Sequence, residues 1–106
     1  FYGTYPRLLG RYVRQKPSVL TLEEAIRKSS GFPAQRLGLK TRGLIKEGFV
    51  ADLVVFNPST VMDLASFEEP HQYPIGIPYV LVDGTPVVWE NKHTGARPGR
   101  VLRRGE

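Results

Sequence analysis

The chain has 106 residues and a mass of 11.9 kDa, with 41% hydrophobic and 24% charged residues, no cysteine and a net charge of +5. That length suits one small core and excludes a complete (β/α)8 barrel, which takes about 250 residues. No apolar run nears the roughly 20 residues of a membrane span, so no membrane partner is expected, and without cysteine there is no disulfide framework, thiolate-bound zinc or cysteine nucleophile.

The first segment predicts a helix. Tyr5, Leu8, Leu9, Tyr12 and Val13 recur at helical spacing and form one apolar stripe. Thr4 is placed as its N-cap, Pro6 in the first turn where a missing N–H is harmless, and Pro17 as its stop. Gly10 weakens a helix by about 1 kcal/mol relative to Ala, so a close neighbour is expected against it.

A second helix is predicted from Thr21. Thr21-Leu22-Glu23-Glu24 reads as a capping box, and Leu22, Ala25 and Ile26 as the buried stripe. Gly31 with Pro33 is expected to end it, and a short third turn over Pro33 to Leu37 stops at Gly38. The result is an αα unit whose apolar side needs a partner.

At residue 40 the period changes from helical to two. Leu44 to Gly48 reads as a short strand entering a turn, and Ala51 to Phe56 as a compact strand ended by Asn57-Pro58. Tyr79 to Val82 and Pro86 to Trp89 flank Asp83-Gly84, a strong hairpin signal. Residues 59–77 form a long irregular excursion, and Val101-Leu102 is a strand candidate in a Gly-, Pro- and Arg-rich tail. Helices first and strands after them predict an α+β chain, with a helical segment at 1–40 and a β portion at 41–106.

Chemistry is sparse. His71 and His93 stand alone, and a metal site needs three or four converging ligands. Glu23/Glu24 belongs to a helix start, and Glu68/Glu69 precedes Pro70 in a loop. There is no Gly-x-Ser-x-Gly elbow and no phosphate-binding glycine loop. Residues 1–50 hold ten Lys and Arg against three Asp and Glu, whereas residues 51–106 hold five against seven. Tyr5 and Tyr12 interleave with Arg7, Arg11 and Arg14 as stacking platforms do, but both tyrosines lie on the apolar stripe, so no nucleic-acid partner is expected. Phe1 opens in mid-pattern and the sole methionine is Met62, so the chain reads as a piece of something longer. The lack of a basic-then-apolar leader points to the cytoplasm.

Thr41-Arg42-Gly43-Leu44-Ile45-Lys46-Glu47-Gly48-Phe49-Val50-Ala51-Asp52-Leu53-Val54-Val55-Phe56 resembles the "RG-x-I-x-x-G-x-x-ADLVVF" signature of the amidohydrolase superfamily. Phe1-Tyr2-Gly3-Thr4-Tyr5-Pro6-Arg7-Leu8-Leu9-Gly10-Arg11-Tyr12 is similar to the "GT-[FY]-PR-x-L-G-x-[YF]" segment of its N-acyl-D-amino-acid deacylases, also called D-aminoacylases. Leu22 to Lys28, Pro33 to Leu39 and His93 to Leu102 resemble later deacylase runs in the same order. Asn57 and Asp83 depart from the family's usual Asp and Asn, and either residue suits such turns.

The resemblance implies a (β/α)8 barrel paired with a small β-sandwich built from both chain ends. The helices would then be the end of the barrel, and the strands an antiparallel share of the composite sandwich. It also implies a zinc-dependent hydrolase of N-acyl-D-amino acids whose metal ligands, general-base Asp and carboxylate-binding Arg all precede Phe1. No catalytic residue, metal ligand or bound cofactor is expected in these residues. The segment carrying Tyr2, Gly3, Thr4 and Arg7 would edge the substrate pocket, with Arg7 either adding positive potential or serving as a structural arginine at the helix start. The expected partners are the upstream barrel and N-terminal strands of the same polypeptide and a small N-acyl amino acid, with homo-oligomer contacts open to it. The alternatives are a fragment of a dihydroorotase- or hydantoinase-like amidohydrolase and a free-standing basic binding module.

Overall fold

In the computed structural model, residues 4–15, 20–62 and 75–106 are described. Tyr2, Gly3, Pro17, Glu68, Glu69 and His71 lie outside them. Helix α1 (Thr4–Arg7) continues as a π-helical stretch (Leu8–Arg14), and Gln15 turns extended with ψ 144°. Thr4, expected to cap this helix, is itself helical, the first of the described residues. The widened winding departs from the 3.6 period on which the apolar stripe was read. It brings Gly10 into the interior, while Tyr5 and Tyr12 are 61% and 46% exposed.

Helix α2 (Leu22–Ile26) starts where the capping box places it. Thr21 Oγ accepts the Glu24 N–H at 3.2 Å and lies 3.0 Å from Glu24 Oε1, so the carboxylate takes the hydroxyl proton and not the Thr21 N–H. Gly31 and Pro33 do not end the helix. It widens into a π-helical turn (Arg27–Gly31) and runs on as α3 (Phe32–Arg36). Phe32 N–H donates to Arg27 O, one residue further back than in an α-helix. A proline ring otherwise clashes with the carbonyl four residues before it, and i→i+5 winding relieves that contact. Gly38, at φ 70°, provides the stop the sequence indicated.

Strands β1 (Leu53–Val55), β2 (Tyr79–Val82), β3 (Thr85–Trp89) and β4 (Lys92–His93) form one antiparallel sheet in chain order. Asp83 and Gly84, at φ 50° and 76°, make the tight β2–β3 turn, and Glu90 and Asn91, at φ 50° and 67°, make the next one. Two-residue hairpin turns with φ positive at both positions match the twist of the strands they join. The strand expected over Leu44 to Gly48 is absent. Val50 N–H donates to Thr41 O and Phe49 N–H to Lys46 O, which closes the segment on itself, and Ile45 is 93% exposed. A strand needs a neighbour for its ladder, and this loop has none among the described residues. Val101-Leu102 is likewise not a strand: the chain end docks on the helical part, with Gly105 N–H donating to Leu37 O at 3.0 Å and Lys40 N–H to Glu106 O at 3.2 Å.

The chain is thus α+β, with its helices before its strands. Among the described residues Pro6, Ala25, Ala34 and Val61 have buried apolar side chains, the first three on helices and Val61 against the first helix. The sheet is apolar on both faces, with Leu53, Val55, Tyr79 and Leu81 sharing one and Val54, Val80 and Val88 the other. All of these are half-buried or exposed, so neither face is closed over.

Candidate functional site

Of the pocket-edge residues named from the sequence, two are described. Thr4 opens α1 and Arg7 closes it, half-buried, while Tyr2 and Gly3 lie outside the described residues. The helix is held from its other end by Arg14. Its Nη1 donates to Val61 O at 2.8 Å and to Pro58 O at 3.3 Å. Gly10 meets the same carbonyl, and a Cβ there would stand 2.7 Å from Val61 O. The neighbour expected against Gly10 is therefore the backbone at Val61, together with the Met62 side chain.

The turn under this helix is stiff. Val61 and Thr60 N–H groups donate to Asn57 O, Ser59 N–H donates to Asn57 Oδ1, and Asn57 N–H donates to Gly76 O. Met62 and Ile75 exchange both backbone hydrogen bonds at 3.3 and 2.9 Å. Gly76, at φ 81°, lies so close to Val61 that a Cβ there would stand 2.6 Å from its N and Cα atoms.

A second polar anchor centres on Asp52. Its Oδ2 pairs with Arg42 Nε at 3.0 Å, and its Oδ1 accepts the Asp83 N–H at 2.8 Å. Gly84 N–H adds a bond to Ala51 O at 2.9 Å. Two positions of the motif around residues 42–56 thus join the start of β1 to the β2–β3 turn. Their work is to fix backbone, not to move protons.

Beside it lies an open groove of about 340 Å³, lined by Leu44, Ile45, Lys46, Phe49, Val50 and Leu53 among others. The Lys46 ammonium sits 5.6 Å from the Phe49 ring centroid, and the lining is otherwise mostly apolar. Among the described residues no three His, Cys, Asp or Glu side chains converge to hold a metal ion, so a zinc ion has no ligand set among them. His93 is on β4, exposed, at the far edge of the sheet. No described helix is long and apolar enough to cross a membrane.

The anchors show what sequence reasoning missed. Arg14 reads as one more solvated arginine, because its acceptors are backbone oxygens 44 and 47 positions away. Asp52 reads as part of a strand motif, and only the fold brings it to residue 83.

A model of the Amidohydrolase family matches residues 3–88, from the first helix into β3. A D-aminoacylase of Alcaligenes xylosoxydans xylosoxydans is 48% identical over 103 residues, which is 97% of this chain and 21% of that protein. Among solved structures, a D-aminoacylase described as defining a novel subset of amidohydrolases superposes with a TM-score of 0.91 at 45% identity, over 96% of this chain and 21% of its own. The N-acyl-D-glutamate deacylase of Bordetella bronchiseptica, solved with zinc and a phosphonate mimic of the tetrahedral intermediate, gives 0.85 and 42% over 95% of this chain and 21% of its own. The chain spans about a fifth of the length of these relatives. The match runs through both the helical and the strand parts, and it follows that the chain belongs to the amidohydrolase family.

Proposed function

We propose that the chain works as part of a zinc-dependent amidohydrolase that cleaves N-acyl-D-amino acids into a carboxylate and a D-amino acid. In that enzyme it supplies scaffold and one edge of the substrate pocket, and the metal ligands and proton-transferring groups come from the rest of the polypeptide. The observation that carries this reading is the 0.91 superposition on a D-aminoacylase over 96% of the chain.

The division of labour follows from the same reading. Residues 1–40 close the barrel, and residues 41–106 form the chain's share of a composite β-sandwich. A sheet that is apolar on both faces and half-exposed supports cover by other parts of the enzyme. Tyr2, Gly3, Thr4 and Arg7 stand at the pocket rim, where the Arg7 charge favours a substrate that carries a carboxylate.

The test compares the longer polypeptide that carries this chain with the 106 residues alone, using N-acetyl-D-amino acids as substrates. The longer polypeptide is expected to hydrolyse them, to lose activity to a chelator and to regain it with zinc. The 106 residues are expected to be inactive. Hydrolysis by the short chain with stoichiometric zinc would overturn the assignment of roles. A longer polypeptide that opens dihydroorotate or hydantoins and leaves N-acyl-D-amino acids untouched would overturn the substrate class.

A further inference from the structure

The first helix meets the Asn57–Val61 turn through two contacts on one carbonyl. Gly10 lies against Val61 O, and Arg14 donates to that oxygen at 2.8 Å and to Pro58 O at 3.3 Å. The glycine sets how near the helix lies to the turn. The guanidinium, with two acceptors, sets how the helix is rotated and tilted over it. The turn is a firm base, since it is bonded internally and to Gly76, and Val61 is fully buried.

The helical winding is continuous from Thr4 to Arg14, so orientation at one end is felt at the other. Ten residues of helix span about 15 Å, and a tilt of about 4° at the Arg14 end moves Thr4 by about 1 Å. A shift of about 1 Å takes a hydrogen-bonding group at a rim out of the range of about 2.7–3.2 Å and weakens its hold on substrate.

We propose that Arg14 is a positioning residue, whose hold on the Val61 and Pro58 carbonyls fixes where the Thr4–Arg7 turn stands at the rim of the substrate pocket. This inference rests on the pocket-rim assignment made above. Arg14 itself touches no substrate. It acts through the helix, and the property it governs is substrate binding.

The experiment uses the longer polypeptide with Arg14→Gln and Arg14→Lys, measuring KM and kcat for an N-acetyl-D-amino acid. Loss of binding that is uniform in ground and transition states raises KM and spares kcat, so Arg14→Gln is expected to raise KM about tenfold with kcat within about twofold. Both bonds come from the single nitrogen Nη1, so Arg14→Lys keeps a charged donor of different reach and is expected to raise KM about threefold. A role in stability alone would lower the folded fraction, and with it the apparent kcat, at constant KM. A folded Arg14→Gln enzyme with the wild-type KM overturns the proposal. If that variant does not fold, Arg14→Lys decides, and a wild-type KM there overturns it equally. If the wild-type polypeptide cleaves another amide and no N-acyl-D-amino acid, the deacylase reading fails by itself, and the same comparison of KM and kcat is made on the amide it does cleave.

Discussion

Gly10→Ala is the substitution whose outcome the geometry constrains most tightly. An ideal Cβ at Gly10 falls 2.7 Å from Val61 O, 2.8 Å from Met62 Sδ and 3.2 Å from Met62 Cε. The thioether can swing aside. The carbonyl must retreat by about 0.6 Å to reach ordinary carbon–oxygen contact near 3.3 Å, and it is held in place by the Arg14 guanidinium at 2.8 Å. Alanine gains about 1 kcal/mol in helix propensity over glycine. Overpacking costs about 1–3 kcal/mol, and weakening a charge-assisted hydrogen bond adds about 1 kcal/mol. The net expectation is a loss of about 1–3 kcal/mol. Urea unfolding followed by circular dichroism measures it, with Gly99→Ala as the control, because nothing lies within 4 Å of a Cβ at that position. The control is expected to be neutral or stabilising by about 0.5 kcal/mol. A Gly10→Ala protein as stable as the control would refute the close approach of this helix to Val61.

Asp52→Ala leaves Arg42, whose side chain is 11% exposed, without its carboxylate and removes the acceptor of the Asp83 N–H. A loss of about 2 kcal/mol is expected by calorimetry, and about half that for Asp52→Asn, which keeps one acceptor oxygen. Asp83→Asn is expected to change stability by less than about 0.5 kcal/mol, since both residues suit this turn. Gly84→Ala, forced to φ 76°, is expected to lose at least about 1 kcal/mol in the same measurement. A neutral Gly84→Ala would count against the left-handed turn.

Much of the local structure was legible because its signals are local. Asp83-Gly84 announces the hairpin, and Thr21-Leu22-Glu23-Glu24 marks the residue where α2 begins. Gly10 announced a close neighbour without naming it, since a glycine in a helix shows that space is short but not what fills it. The misreadings come from longer-range physics. Gly31 and Pro33 are helix breakers under α-helical winding, and the π-helical turn just before Pro33 removes the reason. Leu44 to Gly48 has strand composition, but composition supplies no partner strand. Lys92–His93 pairs with β3 despite having no apolar pattern, because the Glu90-Asn91 turn delivers it there. Of the candidate site, the resemblance names Thr4 and Arg7 as a proposed rim, and the structure places both on α1. Arg14, which anchors that helix, was not legible, because no spacing rule connects a side chain to carbonyls 44 and 47 positions away.

The position of Asp52 also bears on the order in which the sheet comes together. Strands β2 and β3 are separated by two residues, whereas β1 must reach β2 across residues 56–78. Closing the longer loop costs about 2 kcal/mol more in chain entropy. The hairpin therefore has every reason to form first and β1 to arrive last. Asp52 meets β1's destination at the finished turn, through the Asp83 N–H, and so secures a late arrival without starting it. Once docked, β1 is itself an outer strand of the described sheet, so the apolar edge is moved from β2 to β1 and not closed. The Asp52 carboxylate thus ties that outer strand to a turn the hairpin has already built.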